Sequence, residues 1–199
     1  MNFYKNKNIL LYTIKFIGVF CLCYYGALAV AGLSAPGKYY SPIVDHYFDL
    51  VSLLRSSLLY GAKWLVSLFG YETYFANEYI LRIVNGSGIK MVYSCLGLGV
   101  MSFWVAFVFA NNQTWIKKLQ WIVGGLFLLW LINVIRISLL LISENGHWKI
   151  PWFDHHTWFN IVAYFMIGIL IYFYDRSVKI KPYHNTGSPD VYTPKSAIK

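Results

Sequence analysis

The stretch LQWIVGGLFLLWLINVIRISLLLI, Leu119–Ile142, decides how the rest of the chain is read. Its only charged residue is Arg136. About 20 mostly apolar residues cross the hydrocarbon core of a bilayer as a helix, so the segment is predicted to span a membrane. An arginine there costs about 2.5–3.5 kcal/mol on insertion scales; it normally faces the interior of a bundle and by default has a function.

Similar segments lie on both sides. Met91–Ile116 is charge-free and closed by Lys117 and Lys118, which predicts a span over 96–116. The short connection makes these two spans a helical hairpin. Thr157–Tyr174 is charge-free and followed by Asp175 and Arg176, predicting a span over 157–175. Phe16–Gly37 is also charge-free, and Ile9–Ile14 extends it past Lys15, whose long stem can carry its charge to the headgroups. This predicts a first span over 10–33, an uncleaved anchor. The alternative is a signal peptide, with Lys5 and Lys7 as its basic start and Ala27, Ala29, Ala31 and Ala35 as its small residues.

Phe48–Phe69 holds Asp49, Arg55 and Lys63. On a helical wheel these share an arc with Ser52, Ser56 and Ser67, opposite Leu50, Leu54, Leu58, Leu65 and Leu68. The expectation is an amphipathic helix on the membrane surface or capping the bundle, with a buried span of polar inner face as the competing reading. The two β-prone runs Tyr79–Val84 and Ile89–Tyr93 flank Asn85-Gly-Ser-Gly88, the signature of a small hairpin.

The composition agrees. The chain has 199 residues, 58% hydrophobic and 13% charged, with a mean hydropathy of +0.49. Soluble domains carry about 25% charge, which excludes an ordinary soluble domain. The net charge of +9 does not call for nucleic acid. Many cations gather at Lys5 and Lys7, at Lys117 and Lys118, and in the polar tail, residues 176–199. The positive-inside rule puts all three in the cytoplasm, which requires an even number of spans. The expected fold is therefore an all-α membrane bundle of about four spans, with one amphipathic helix and a small extracytoplasmic hairpin. Residues 1–175 form one membrane-embedded domain, and 176–199 a disordered basic cytoplasmic tail. Three cysteines supply no disulfide or zinc framework. No cofactor is expected.

Successive spans run in opposite directions. Cys95 opens the second, Arg136 lies late in the third, and His155 and His156 open the fourth, so all share one membrane face, the outer one. A thiolate is a nucleophile, imidazole moves its proton and later returns it to a leaving amine, and guanidinium stabilises an oxyanion or holds a carboxylate. Together these suffice for acyl transfer. Cys21 and Cys23 read as small buried hydrophobes. His155 and His156 beside Asp154 make a poor chelate, because adjacent helical side chains diverge by about 100°, and no metal is expected.

At these residues the sequence resembles the exosortase/archaeosortase family of integral membrane cysteine proteases. The pieces are Tyr93-Ser-Cys95-Leu-Gly97, Asn133-Val-Ile-Arg136 and Asp154-His-His156-Thr-Trp-Phe-Asn160, in that order, each at the start or end of a span. The resemblance covers roughly residues 48–175 and is to a compact form. Cys95-Leu96-Gly97 departs from the Cys-Ser-Gly or Cys-Thr-Gly of many members but keeps the Cys–Gly spacing. The resemblance implies an enzyme that cuts a carboxyl-terminal sorting signal from exported proteins and passes the new end to a surface acceptor. Cys95 would be nucleophile, His156 (alternatively His155) the acid and base, and Arg136 the oxyanion or substrate group. Asn133 is a supporting residue expected to hold Arg136, and Asn160 stands four positions after His156. The implied partners are the sorting-signal helix, membrane lipids and a polysaccharide or lipid acceptor. A non-catalytic membrane subunit of an envelope or polysaccharide export system is the alternative.

Overall fold

A backbone crossing an apolar medium must satisfy its own polar groups, and a helix does so within one segment. The apolar runs accordingly form helices in the computed structural model, which describes residues 3–34, 50–145 and 155–179. The helices are α1 (Phe3–Ser34), α2 (Leu50–Leu68), α3 (Leu98–Ala110), α4 (Trp115–Asn145) and α5 (His155–Lys179). Between α2 and α3 lie the strands β1 (Thr73–Asn77), β2 (Ile80–Ile83) and β3 (Gly88–Lys90), then a 3-10 turn, Tyr93–Leu96. Among the described residues two helical segments are long and apolar enough to cross a membrane, Ile9–Leu33 and Trp115–Asn145.

The helix after Cys95 is shorter than the sequence predicts. α3 has 13 residues, about 20 Å at 1.5 Å per residue, not the span expected over 96–116. Polar side chains divert the backbone at its end. Asn111 donates from Nδ2 to the Phe107 carbonyl at 2.7 Å, competing with helix continuation. Lys118 Nζ donates to the Phe109 carbonyl at 2.8 Å and lies over the Phe109 and Trp115 rings. At the other end of the chain, α5 continues past the expected boundary at 175 as far as Lys179, with Ser177 Oγ donating to the Tyr174 carbonyl at 2.8 Å. Residues 180–199 of the expected tail, and Asp49 and Asp154, lie outside the described residues.

α2 also departs from expectation. It buries Val51, Arg55, Leu58, Leu59, Ala62 and Val66, while Leu50 is 68% exposed and Trp64 65% exposed. Arg55, predicted on a solvated arc, is 5% exposed. The cause is close packing on α4 through small residues. A Cβ on Gly61 would stand 2.9 Å from Val134 Cγ2. Trp130 Nε1 donates to Ser57 Oγ at 3.1 Å, and Ser138 Oγ reaches the Ala62 carbonyl at 3.4 Å. Small residues that let backbones approach, with hydroxyls bonding across, are how helices associate in lipid.

The sheet is antiparallel in the order β1-β2-β3. The predicted hairpin is present as β2 and β3, with Leu81 opposite Ile89, and Asn85 adopts a left-handed φ of 58° in the turn. β1 is an additional strand, with Phe75 opposite Leu81. The turn docks on the end of α4: Ser87 N donates to Asn145 Oδ1 at 3.2 Å, and Ser87 Oγ to the Glu144 carbonyl at 3.2 Å. Two cores result. One joins α2, the sheet and the later half of α4 around Leu58, Leu81, Leu96 and Leu141. The other joins α3, the earlier half of α4 and α5 around Trp104, Leu129 and Tyr174.

Candidate functional site

Cys95 is not on the helix it was expected to open. It sits in the 3-10 turn, with its N–H donating to the Val92 carbonyl at 2.9 Å. Gly97 then turns the chain into α3. Its φ of 73° lies in the left-handed region, where glycine carries no steric cost. Its carbonyl accepts the N–H of Met101 at 3.0 Å, which starts the helix. The Cys95 side chain is half-buried against the core of α2 and the sheet.

The turn is tied to α4 by Asn133. This buried side chain donates from Nδ2 to the Cys95 carbonyl at 3.0 Å. The expectation pairs Asn133 with Arg136; the bond that its amide N–H makes runs to the backbone of the cysteine. The sequence names both residues but not the pairing, which depends on how the turn is inclined. Gly97 stands beside the same amide, and a Cβ there would be 3.4 Å from Asn133 Nδ2.

Arg136 follows one turn later on α4 and is half-buried. Its Nε is buried with no hydrogen-bond partner among the described residues. Arg136 and Cys95 border one narrow gap, with Ile89, Met91 and Ile137 among its other walls. The gap measures about 10 Å³, the lower limit for one water. Arg136 also lines a cavity of about 740 Å³, as do Tyr24, Tyr93, Ser94, Asn133 and Tyr164. Arg136 thus borders both the gap that Cys95 lines and a space of the size that takes small-molecule ligands. Cys95 itself is not among the cavity's lining residues, whereas its neighbour Ser94 is.

α5 begins at His155. The side chains of His155, His156 and Asn160 lie outside the described residues, so the structure joins Cys95, Asn133 and Arg136 and leaves the imidazoles unplaced. Cys21 and Cys23 are half-buried on α1.

Sequence reasoning missed Arg55. Its guanidinium carbon lies 4.3 Å from the centre of the Tyr79 ring and 5.9 Å from that of Tyr93, which belongs to the turn of Cys95. The signal was present. A single arginine among Leu53, Leu54, Leu58 and Leu59 invites the same question as Arg136, and its place on an apparently solvated arc concealed it. Compared with family models, with curated proteins and with solved structures, the chain matches none.

Proposed function

We propose that the chain is a membrane-embedded cysteine protease or transpeptidase of the exosortase kind, which cleaves carboxyl-terminal sorting signals and transfers the product to a surface acceptor. The observation that carries this reading is Arg136, which borders both the gap it shares with Cys95 and a large cavity, and whose Nε is buried with no partner among the described residues. An unmet buried donor is costly, and a substrate carbonyl or carboxylate oxygen would satisfy it. The bundle is read as multi-pass in the inner membrane, with spans near 10–33, 119–142 and 157–175, the short helix α3 as a fourth crossing, and its site on the extracytoplasmic side. The outward leucines and tryptophan of α2 add a further lipid-facing surface.

In this mechanism the Cys95 thiol gives its proton to His156 and the sulfur attacks the scissile carbonyl carbon. Arg136 stabilises the oxyanion. The carbon–nitrogen bond breaks, the imidazolium protonates the leaving amine, and a thioester remains. An acceptor amine, hydroxyl or water attacks that carbonyl, the carbon–sulfur bond breaks, and the thiol regains a proton. His156 is preferred over His155 because Asn160 stands four positions after it, where the resemblance places a small residue.

The test uses a tagged single-span protein ending in a short motif, an apolar helix and a basic end. Cys95→Ala should abolish its processing while the variant stays in the membrane, and Arg136→Lys should fail as well, since lysine lacks the planar fork. Normal processing by Cys95→Ala would sink the proposal. The competing non-catalytic reading draws on one observation, that Cys95 borders the narrow gap rather than the large cavity. On that reading Cys95 reacts no faster with a membrane-impermeant maleimide than Cys21 or Cys23 does.

A further inference from the structure

Arg55 is a buried cation that the mechanism does not use. It is 5% exposed, and its Nη2 donates to Ser52 Oγ at 3.1 Å. Two aromatic rings face it: Tyr79, from the β1–β2 connection at 4.3 Å, and Tyr93, from the 3-10 turn at 5.9 Å. A guanidinium within about 6 Å of a ring centroid is attracted to the ring's negative face, and the attraction grows when both groups are withdrawn from water. Three elements therefore converge on one side chain: α2, which carries it, the sheet, and the turn two residues ahead of Cys95.

The turn has few other ties. On one side the Asn133 amide holds the Cys95 carbonyl at 3.0 Å. Tyr93 itself is half-exposed and lines the large cavity, so the cavity does not fix its ring. Val92 caps the turn with no side-chain hydrogen bond. Without Arg55, the start of the turn would be held by its own backbone, by the Met91 N–H donating to the Tyr79 carbonyl at 2.7 Å, and by the buried side chains of Met91 and Leu96.

We infer that Arg55 is a positioning residue: through the Tyr93 ring it clamps the turn that carries Cys95 and keeps the thiol withdrawn beside Arg136. This rests on the reading of Cys95 as the reactive group, but its readout does not require any substrate to be cleaved. The Tyr79 contact anchors the cation to the sheet, so the clamp is a three-way joint rather than a pair.

The experiment measures alkylation of Cys95 by a membrane-impermeant maleimide in the full chain carrying Cys21→Ala and Cys23→Ala. The rate is followed against pH to its upper plateau, where every thiol is ionised and the rate reports access alone. Arg55→Gln should raise the plateau about threefold, the scale of a cation–π contact with a half-exposed ring, with the melting temperature recorded alongside. Tyr93→Leu should raise it similarly, Tyr93→Phe should leave it unchanged because the ring is kept, and Arg55→Lys should recover part of the parent value. The double variant Arg55→Gln/Tyr93→Leu should be no faster than either single one, as expected when both act through one contact. If Arg55→Gln does not fold, Tyr93→Leu against Tyr93→Phe decides, since only a clamp through the ring separates them. Equal plateaus for Tyr93→Leu and Tyr93→Phe would overturn the inference, as would effects of Arg55→Gln and Tyr93→Leu that multiply. A raised plateau together with an inactive parent enzyme would leave the clamp standing and remove the catalytic reading.

Discussion

The two cores are held by different physics. Around α2, the sheet and the later half of α4, side chains cross between elements as hydrogen bonds: Asn133 to Cys95, Trp130 to Ser57, Ser138 to Ala62, and Ser87 to Glu144 and Asn145. Around α3, the earlier half of α4 and α5, two side-chain hydrogen bonds also cross, Trp104 Nε1 to the Trp121 carbonyl at 3.0 Å and Lys118 Nζ to the Phe109 carbonyl at 2.8 Å, but most contacts are between rings. Tyr174 packs edge-on against Trp104, Phe107 and Trp121 at 6.2, 5.4 and 5.3 Å, and Phe16 of α1 meets Phe103 at 5.5 Å. A hydrogen bond weakens within tenths of an ångström and tens of degrees. Ring contacts accept a wider range of offsets. The first region is suited to holding the Cys95 turn at a defined place, and the second to holding helices together.

The sharpest way to break this contrast is Trp104→Ala. The side chain is fully buried, so about 3–5 kcal/mol of stability should be lost, read as thermal unfolding in detergent. Under conditions where the variant is folded, Cys95 alkylation should match the parent; a changed rate would mean that the ring-packed core also sets the site. Gly125→Ala acts on the same core. Its added Cβ would overlap the Trp104 indole, and overpacking of this kind costs about 1–3 kcal/mol. Next comes Asn133→Leu, in the other region. It leaves the Cys95 carbonyl without its partner, so about 1–2 kcal/mol should be lost, and unlike the previous two it should alter Cys95 reactivity at temperatures well below unfolding. The smallest effect is expected for Ser57→Ala, about 0.6 kcal/mol, the average for a hydrogen bond between helices in lipid, with no change at Cys95.

The contrast also explains which parts could be read from sequence. The long apolar helices α1 and α4 follow from the absence of charge, and the β2–β3 hairpin from Asn85-Gly-Ser-Gly88. The opposed directions of α3 and α4, legible from their apolar runs and the short connection between them, place Cys95 and Arg136 at one end of the bundle. What hydropathy cannot carry is a pairing between polar groups. Asn133 is one turn from Arg136 in the helix, yet its amide goes to a carbonyl 38 residues away in the chain. Arg55 looked solvated because a wheel shows angles and not neighbours; two tyrosines distant in sequence cover it. β1 was missed because its turn has no glycine, and the signal was Asn77, whose Oδ1 accepts the N–H of Tyr79 at 2.8 Å, a side-chain substitute for a backbone turn.

α4 carries two docking points, Asn133 for the Cys95 turn and Asn145 for the Ser87 turn. They are twelve residues apart, about 18 Å along the axis and a third of a turn around it. Cys95 stands eight positions after Ser87. Stretched fully, that segment reaches about 26–29 Å, enough to bridge the two points. One residue inserted into α4 between the two points would rotate one of them by about 100° and shift it 1.5 Å, carrying its side chain away from the backbone group it now meets. Related chains should therefore keep the interval 133–145 fixed in length, or change it only together with the interval 87–95.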